Sequence, residues 1–330
     1  MSKVKNTDYL YLSAYLRAKE NGLLSRERLE RMAAAPDFDE AAKVLAECGY
    51  PELSGVSDAE LEEAFSARRR AVLTDMEKLC PEPALVEAGR LRFDYHNAKV
   101  LVKSEAAGTG EELLSDSGRV SPETLQEAFR LDDWKSVPAD LAAAIREARS
   151  TLARTSNPQL TDMELDKAYF QELLELTGGL SSDFYTRYVR LSIDVANLRS
   201  AVRCLRGRMD EGVLREALIE GGEVPVSQIA RRVYGEGVTA VFTGRSLAEA
   251  AELGEKAVEG EPLTPFERAC ENVLTRFLRE AKRVSIGMEA VVAYIAMLEG
   301  EIIAARMVLM GKRSGVSADI LRERLRDSYV

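Results

Sequence analysis

A ten-residue pattern that recurs one hundred residues later is the strongest constraint on how this chain folds. Residues 94–103 read DYHNAKVLVK and residues 194–203 read DVANLRSAVR, so both have an acid, an asparagine three positions on, and bases at the sixth and tenth positions. On an α-helix this spacing places the acid and the asparagine on one face and the bases on another. The period is longer than the roughly 34 to 47 residues of helical solenoid repeats. The pattern therefore predicts long helical units that pack against one another.

A weaker third copy starts at Glu301. It keeps the acid and the first base, but Ala304 replaces the asparagine and Met310 replaces the second base. Three copies in 330 residues predict three similar helical domains, residues 1–110, 111–208 and 209–330. The helices that carry the copies are called the repeat helices below. Their structural repeat positions are Asp94, Asn97, Lys99, Asp194, Asn197, Arg199, Glu301 and Arg306.

A glycine-containing junction follows each copy. The first junction is GRVS at residues 118–121, the second is GEVP at 222–225, and the third is GVS at 315–317. A degenerate fourth form, GLLS at residues 22–25, is called the N-terminal junction. A short amphipathic helix is predicted after each copy's junction. Because such units cannot bury their apolar faces alone, the copies are expected to adjoin in space.

Capping signals predict helices along most of the chain. Ser57, Thr161 and Thr264 each stand three positions before a glutamate, which is typical of a helix N-terminus. Pro265 would lie in the first turn of a helix over residues 264–282, where its missing N–H costs nothing.

The last long helix is predicted from hydrophobic periodicity. Apolar residues recur every three or four positions from residue 291 to residue 309, and Gly311 is predicted to end the helix. The one short β-branched run, residues 238–242, is predicted to be helix or loop, and candidate linkers are residues 108–118, 208–223 and 235–245. The predicted fold class is all-α.

Composition excludes several functions. A net charge of −10 and a pI near 5.1 argue against nucleic-acid binding, which requires a basic face to neutralise phosphates. Four widely separated cysteines without a CxxC pair predict neither a zinc site nor disulfides. The first ten residues form no apolar run, so no signal peptide is expected. The longest apolar stretch, residues 290–298, is about half the length of a membrane-spanning helix, so no direct membrane insertion is expected.

No arrangement of residues for chemistry emerges. His96 is the only histidine, and we interpret it as a helix-surface or packing residue. The pairs Asp94 with Asn97 and Asp194 with Asn197 could hold a cation, but a polar lock between two helices is the commoner use of such a pair. We predict no catalytic, cofactor-binding or metal-binding residues, and no cofactor.

Several segments, taken in order, carry a resemblance to a known family. They are residues 8–17 leading to Leu23-Leu24-Ser25, the first repeat at 94–103, the LDKAYF element at 165–170, and residues 301–306 with Gly311-Lys312 and residues 321–325. Over nearly its whole length the chain resembles the C subunit of archaeal and bacterial V/A-type ATPases, which is known as the d subunit in eukaryotic V-ATPases.

The resemblance implies a funnel of three similar helical domains around a pseudo-threefold axis. It implies a non-catalytic central-stalk linker, without an active site of its own, whose partners are the central shaft subunits and the membrane rotor ring of a rotary ATPase. Torque from ATP turnover would then drive proton or sodium transport, or the reverse. The expected location is cytoplasmic, peripheral on the cytoplasmic face of the membrane.

Two other functions remain open. A helical-repeat scaffold would bind soluble partners. A helical enzyme would bring Asp94, Asp194 and Glu301 together as acids around an axis.

Overall fold

The computed structural model describes residues 4–110, 113–244 and 246–330, without the side chains of residues 106 and 107. Residues 111, 112 and 245, which belong to predicted linkers, lie outside this description. Across the described ranges the fold is all-α, as predicted, with no strand and with 3-10 helices at Asn6–Tyr9 and Arg279–Arg283. The α-helices are α1 (Leu10–Glu20), α2 (Arg26–Ala34), α3 (Phe38–Ala46), α4 (Asp58–Leu79), α5 (Pro83–Ala107), α6 (Pro122–Leu131), α7 (Ala139–Thr155), α8 (Pro158–Gly178), α9 (Phe184–Arg206), α10 (Glu211–Ala217), α11 (Val226–Glu236), α12 (Val238–Val241), α13 (Ala248–Val258), α14 (Leu263–Leu278), α15 (Met288–Arg313) and α16 (Ala318–Arg324).

Side-chain caps explain where several helices begin. Before α4, the Ser57 hydroxyl accepts a hydrogen bond from the backbone N–H of Glu60, and the Glu60 carboxylate accepts one from the backbone N–H of Ser57, as the sequence predicts. The same prediction for Thr161 is wrong. Helix α8 already begins at Pro158, because the Asn157 side chain supplies the cap and proline favours the first turn. Thr161 instead donates to the Pro158 carbonyl at 2.7 Å.

Two further boundaries differ from the prediction. Helix α14 begins one residue before Thr264, after Pro262 in an extended conformation, so Thr264 is not its N-cap. Gly311 does not end α15 but lies inside it. Its missing side chain makes room for Leu321, which a Cβ at position 311 would overlap. The left-handed glycine that follows the helix is Gly315, with φ of 71°. The run at residues 238–242 is largely helical, as α12.

Three hydrophobic cores hold the described helices together. The first contains residues of α1, of α5 to α9 and of the first half of α15. The second joins α2, α3 and α4 to the second half of α15 and to α16, and the third joins the second half of α9 to α10 through α14. The first halves of all three repeat helices, α5, α9 and α15, therefore share one core. The domain boundaries at 110/111 and 208/209 remain a prediction.

A buried ion pair connects two distant parts of the chain. The Arg69 guanidinium on α4 donates to the Glu299 carboxylate on α15 at 2.6 and 3.2 Å, and both side chains are more than nine-tenths buried. Arg69 also lies over the Phe93 ring of α5, 4.7 Å from its centroid. The pair thus fixes α4 against α15 across 230 residues of sequence. None of the described helices is both long enough and apolar enough to span a bilayer.

We expect Arg69→Met to lower the free energy of unfolding by about 3–5 kcal/mol, because it leaves a buried carboxylate without its closest cation. The double variant Arg69→Met/Glu299→Leu removes both charges and is expected within about 2 kcal/mol of the wild type. Urea unfolding followed by circular dichroism measures both values. A single variant as stable as the wild type would show that the pair contributes nothing.

Candidate functional site

The first repeat acid organises the first junction. Asp94 on α5 is fully buried, and its Oδ1 accepts hydrogen bonds from the backbone N–H groups of Arg119 and Val120 at 2.8 and 3.2 Å. The Arg119 side chain donates to Oδ2 of Asp94 at 2.6 Å and also pairs with Glu172 on α8. Gly118 is required here because a Cβ at that position would overlap Oδ1 of Asp94.

The second repeat acid binds the backbone of its junction at the equivalent residues, but through both carboxylate oxygens and with different charges nearby. Asp194 on α9 accepts hydrogen bonds from the backbone N–H groups of Glu223 and Val224 at 3.0 and 3.1 Å. A Cβ on Gly222 would overlap its Oδ1, as in the first junction. The position of the first junction's arginine is held by Glu223, so this buried carboxylate has no cation partner in the described residues.

The third repeat acid contacts the N-terminal junction rather than the third one. Glu301 on α15 accepts a hydrogen bond from the backbone N–H of Leu24 at 2.6 Å and another from the Tyr50 hydroxyl at 2.7 Å. Leu24 precedes α2 as Val120 precedes α6 and Val224 precedes α11. The repeat helix α15 is therefore bound to the N-terminal junction, residues 22–25, at the other end of the sequence.

Each repeat asparagine both donates a hydrogen bond to the backbone of the segment after its helix and accepts one from it. The amide of Asn97 donates to the Ser115 carbonyl and accepts from its N–H, at 2.8 and 2.7 Å. Asn197 does the same with Ile219, with both distances 2.8 Å. Ala304 cannot form this clamp. The prediction of a polar lock between two helices is wrong, because both asparagines bind the backbone of the non-helical segment that follows their own helix.

The repeat bases pair with three other helices in a regular order. Lys99 contacts Asp166 on α8 at 2.6 Å, and Arg199 contacts Glu267 and Glu271 on α14 at 2.7 and 2.6 Å. Arg306 contacts Glu62 on α4 at 2.6 Å. Each acidic partner lies on the helix just before another repeat helix, since α8 precedes α9, α14 precedes α15, and α4 precedes α5. Partly exposed pairs of this kind stabilise little individually, but they report the arrangement of the units.

Burial raises the pKa of all three acids. For Asp94 the Arg119 guanidinium opposes this rise, and for Glu301 the Tyr50 hydroxyl does so. Asp194 has only backbone N–H groups to stabilise its charge, and burial raises its pKa to about 6. Of the three acids, Asp194 is the one without a nearby cation that would favour its ionised form.

The three acids do not form a common reactive centre. Each is bound in its own junction, and the described chain contains no group of three or more His, Cys, Asp or Glu residues that could hold a metal ion. His96 is exposed, with Nε2 2.9 Å from the Leu113 carbonyl oxygen. The four cysteines are free thiols, and burial raises the pKa of Cys270 to about 12, which keeps it protonated.

A cavity of about 290 Å³ was not predicted from the sequence. It lies where the three repeat helices meet and is lined by Arg92 of α5, Tyr188 of α9 and Glu299 of α15, with the segment 326–330 along one side. Arg92 and Glu299 each stand two residues before a repeat acid, so the repeat spacing was a signal that could have identified them.

A family comparison gives the arrangement a context. The model of the ATP synthase (C/AC39) subunit family matches residues 12–324. The chain belongs to this family. It is 25% identical over 327 residues to the C subunit of the V-type sodium ATPase of Enterococcus hirae, covering 98% of this chain and 99% of the relative.

Other relatives match at similar length. The chain is 27% identical over 320 residues to the C subunit of the V-type ATP synthase of Thermus thermophilus, covering 93% of this chain and 94% of the relative. It is 23% identical over 345 residues to the C subunit of the A-type ATP synthase of Methanocaldococcus jannaschii, covering 96% and 86%. The family predicted from the sequence is confirmed.

In this member of the C/AC39 family, we expect Asn197→Ala to lower the free energy of unfolding by about 2–4 kcal/mol, because it leaves the buried N–H and carbonyl of Ile219 without partners. Asn21→Ala, at an exposed position, is the control and is expected to change it by less than about 0.5 kcal/mol. Chemical denaturation compares the two. Equal, small effects would mean that the clamp is dispensable.

The pKa of Asp194 predicts a pH dependence. The folded chain keeps this proton up to about pH 6, whereas the unfolded chain releases it near 3.8, so the stabilising contribution is greatest below about pH 4 and is lost as pH rises through 6. Between pH 4 and pH 7 the wild type should therefore lose about 2–3 kcal/mol of unfolding free energy relative to the Asp194→Asn variant. The exposed substitution Asp319→Asn serves as the control. A pH-independent difference for Asp194→Asn would contradict the prediction.

Proposed function

We propose that this chain is the non-catalytic central-stalk linker of a rotary V/A-type ATPase. It couples the central shaft to the membrane rotor ring, so that torque from ATP turnover drives proton or sodium transport, or the reverse. The observation that carries the proposal is the family match over residues 12–324, together with relatives of nearly equal length that are the C subunits of V-type and A-type ATPases and ATP synthases.

The repeated contacts support a closed, pseudo-threefold arrangement of three domains in a funnel. The acids of α5, α9 and α15 hold the first, second and N-terminal junctions, and the bases of the same helices contact α8, α14 and α4. In the third copy both the acid and the base contact the N-terminal part of the chain, Glu301 at Leu24 and Arg306 at Glu62 on α4. A linear array would leave its last unit without this partner.

Stiffness is the mechanical property that this function requires. Close-packed helical cores deform little, and the three junctions add hydrogen bonds of fixed geometry at the point where each unit begins. A linker built in this way transmits torque instead of absorbing it.

Exposed apolar residues are available for contact with a partner. Leu113, Val213 and Ile320 are exposed, and they follow Asn97, Asn197 and Ala304 by sixteen residues each. They lie in three different segments of the chain, namely just before the first junction, on α10 and on α16, and we assign them to the contact with the membrane rotor ring. The chain would then lie peripherally on the cytoplasmic face.

The alternative function is a helical-repeat scaffold that binds soluble partners. It has the same stiffness and no need of an active site. It differs in what should accompany the protein in the cell.

Purification of the tagged chain from its own membranes in mild detergent separates the two functions. We expect shaft and ring subunits to co-purify, and the isolated chain to hydrolyse no ATP. The variant Leu113→Ser/Val213→Ser/Ile320→Ser should lose the ring and keep the shaft, because each exposed apolar contact contributes to only one of the two interfaces. Recovery of soluble partners alone, without any rotor subunit, would favour the scaffold.

A further inference from the structure

Residues 326–330, called the strap below, cross from one part of the fold to another. They follow α16 without forming a helix, and Leu325, at the end of α16, is buried in the second core. On one side of the strap lie α1 and the N-terminal junction, and on the other lie α14 and the 3-10 helix that follows it. Helix α2 packs in the second core and most of α14 in the third. The strap therefore spans a boundary between cores.

On the N-terminal side the strap is bound through two hydroxyl groups. The Ser328 hydroxyl donates to the Leu24 carbonyl of the N-terminal junction at 2.8 Å. The Tyr329 hydroxyl donates to the Glu20 carboxylate and accepts from the Arg17 guanidinium, with both distances 3.1 Å. Each hydroxyl thus binds the strap to residues more than 300 positions earlier in the chain.

On the opposite side the strap is bound to α14. The backbone N–H of Asp327 donates to the side-chain oxygen of Asn272 at 2.9 Å, and the Arg326 guanidinium pairs with the Glu271 carboxylate at the same distance. Both partners lie on α14. The strap is therefore a bridge between α14 and the N-terminal junction.

Two arginines bind the main chain of the strap. Arg26 of α2 donates to the Arg326 carbonyl at 3.1 Å, and Arg279 of the 3-10 helix donates to the Ser328 carbonyl. Hydrogen bonds from a charged donor are stronger than those between neutral groups. Because neighbouring residues of the strap are bound from both sides, the loss of one contact leaves the segment in place.

The strap has open space along both of its faces. It borders the cavity of about 290 Å³ where the three repeat helices meet, and Asp327, Ser328 and Val330 also line a second cavity, of about 370 Å³, beside α2 and α14. Tyr329 is the one large side chain that the strap buries. A segment that is bound by hydrogen bonds and buries little apolar surface can open while the cores stay folded.

We propose that the strap is a releasable latch, which opens as a unit beyond Leu325 and leaves the three cores folded. When closed, it braces the N-terminal helices against α14. When open, it joins the two cavities that it separates. This device goes beyond the proposed function and does not depend on it, because it is built from contacts within the chain.

A thiol placed on the strap reports its opening. The full chain with Ser328→Cys is treated with a thiol reagent such as dithiodipyridine, and mass spectrometry follows the labelling of each cysteine. Cys270, fully buried in the third core, is the internal reference. We expect the introduced thiol to react roughly a hundredfold faster than Cys270, because local opening requires less free energy than opening of a core.

Two further substitutions in this background weaken the latch from opposite sides. Tyr329→Phe removes the hydroxyl that binds Glu20, and Asn272→Ala removes the acceptor on α14. Each should raise the labelling rate of the strap roughly five- to tenfold, because one hydrogen bond is lost, and leave the labelling of the core cysteine unchanged. Tyr234→Phe, which removes a hydroxyl that donates to the Met209 carbonyl at 2.7 Å, is the matched control and should change neither rate.

Three results would overturn the latch. Labelling of the introduced thiol no faster than that of Cys270 would mean that the strap opens only together with a core. Labelling as fast as that of a free thiol, unaffected by Tyr329→Phe and Asn272→Ala, would mean that the strap is not bound. A labelling rate that falls as the protein concentration rises would mean that the strap binds a second copy of the chain. The proposed function is tested separately, by what co-purifies with the protein.

Discussion

The structure depends on a buried carboxylate in each repeat helix that accepts hydrogen bonds from the backbone of a glycine-containing junction. An ionised carboxylate in a protein interior is costly, and backbone N–H groups at a chain turn offset that cost only in a narrow geometry. The interaction therefore fixes where the next short helix starts and which way it points. Gly118 and Gly222 belong to this constraint, because a side chain at either position would occupy the space of the carboxylate oxygen.

All three copies keep a carboxylate bound to the backbone of a junction while the surrounding groups differ. An arginine neutralises the first acid, a glutamate stands at the same place beside the second, and a tyrosine hydroxyl accompanies the third. The third acid is a glutamate, one methylene longer than the aspartates, and its unit lacks the asparagine clamp. Backbone donors are common to all three, so side chains were free to diverge around them.

Much of the arrangement could be predicted from the sequence, because the repeat spacing identifies the acids, asparagines and bases that later prove to be bound. The all-α class follows from periodicity in the same way.

What periodicity cannot give is which segments meet across the chain. Glu301 and Leu24 are 277 residues apart, and nothing local distinguishes the N-terminal junction as the partner of the last repeat helix, α15. Arg92 was missed for a related reason, since an arginine on a helix is ordinary until the other two repeat helices form a cavity beside it. Gly311 was misassigned because a glycine near a helix end can also accommodate a neighbouring side chain, here Leu321.

The meeting of the N-terminal junction with α15 has a consequence for biosynthesis. Helices α2 to α4 leave the ribosome early, yet their apolar residues, among them Leu45 and Phe65, share a core with residues beyond position 297. Until translation has passed those codons, α2 to α4 can bury apolar surface only against one another. The core around α2 to α4 is therefore complete only after the second half of α15 has been synthesised, so this part of the chain reaches its native burial late in translation.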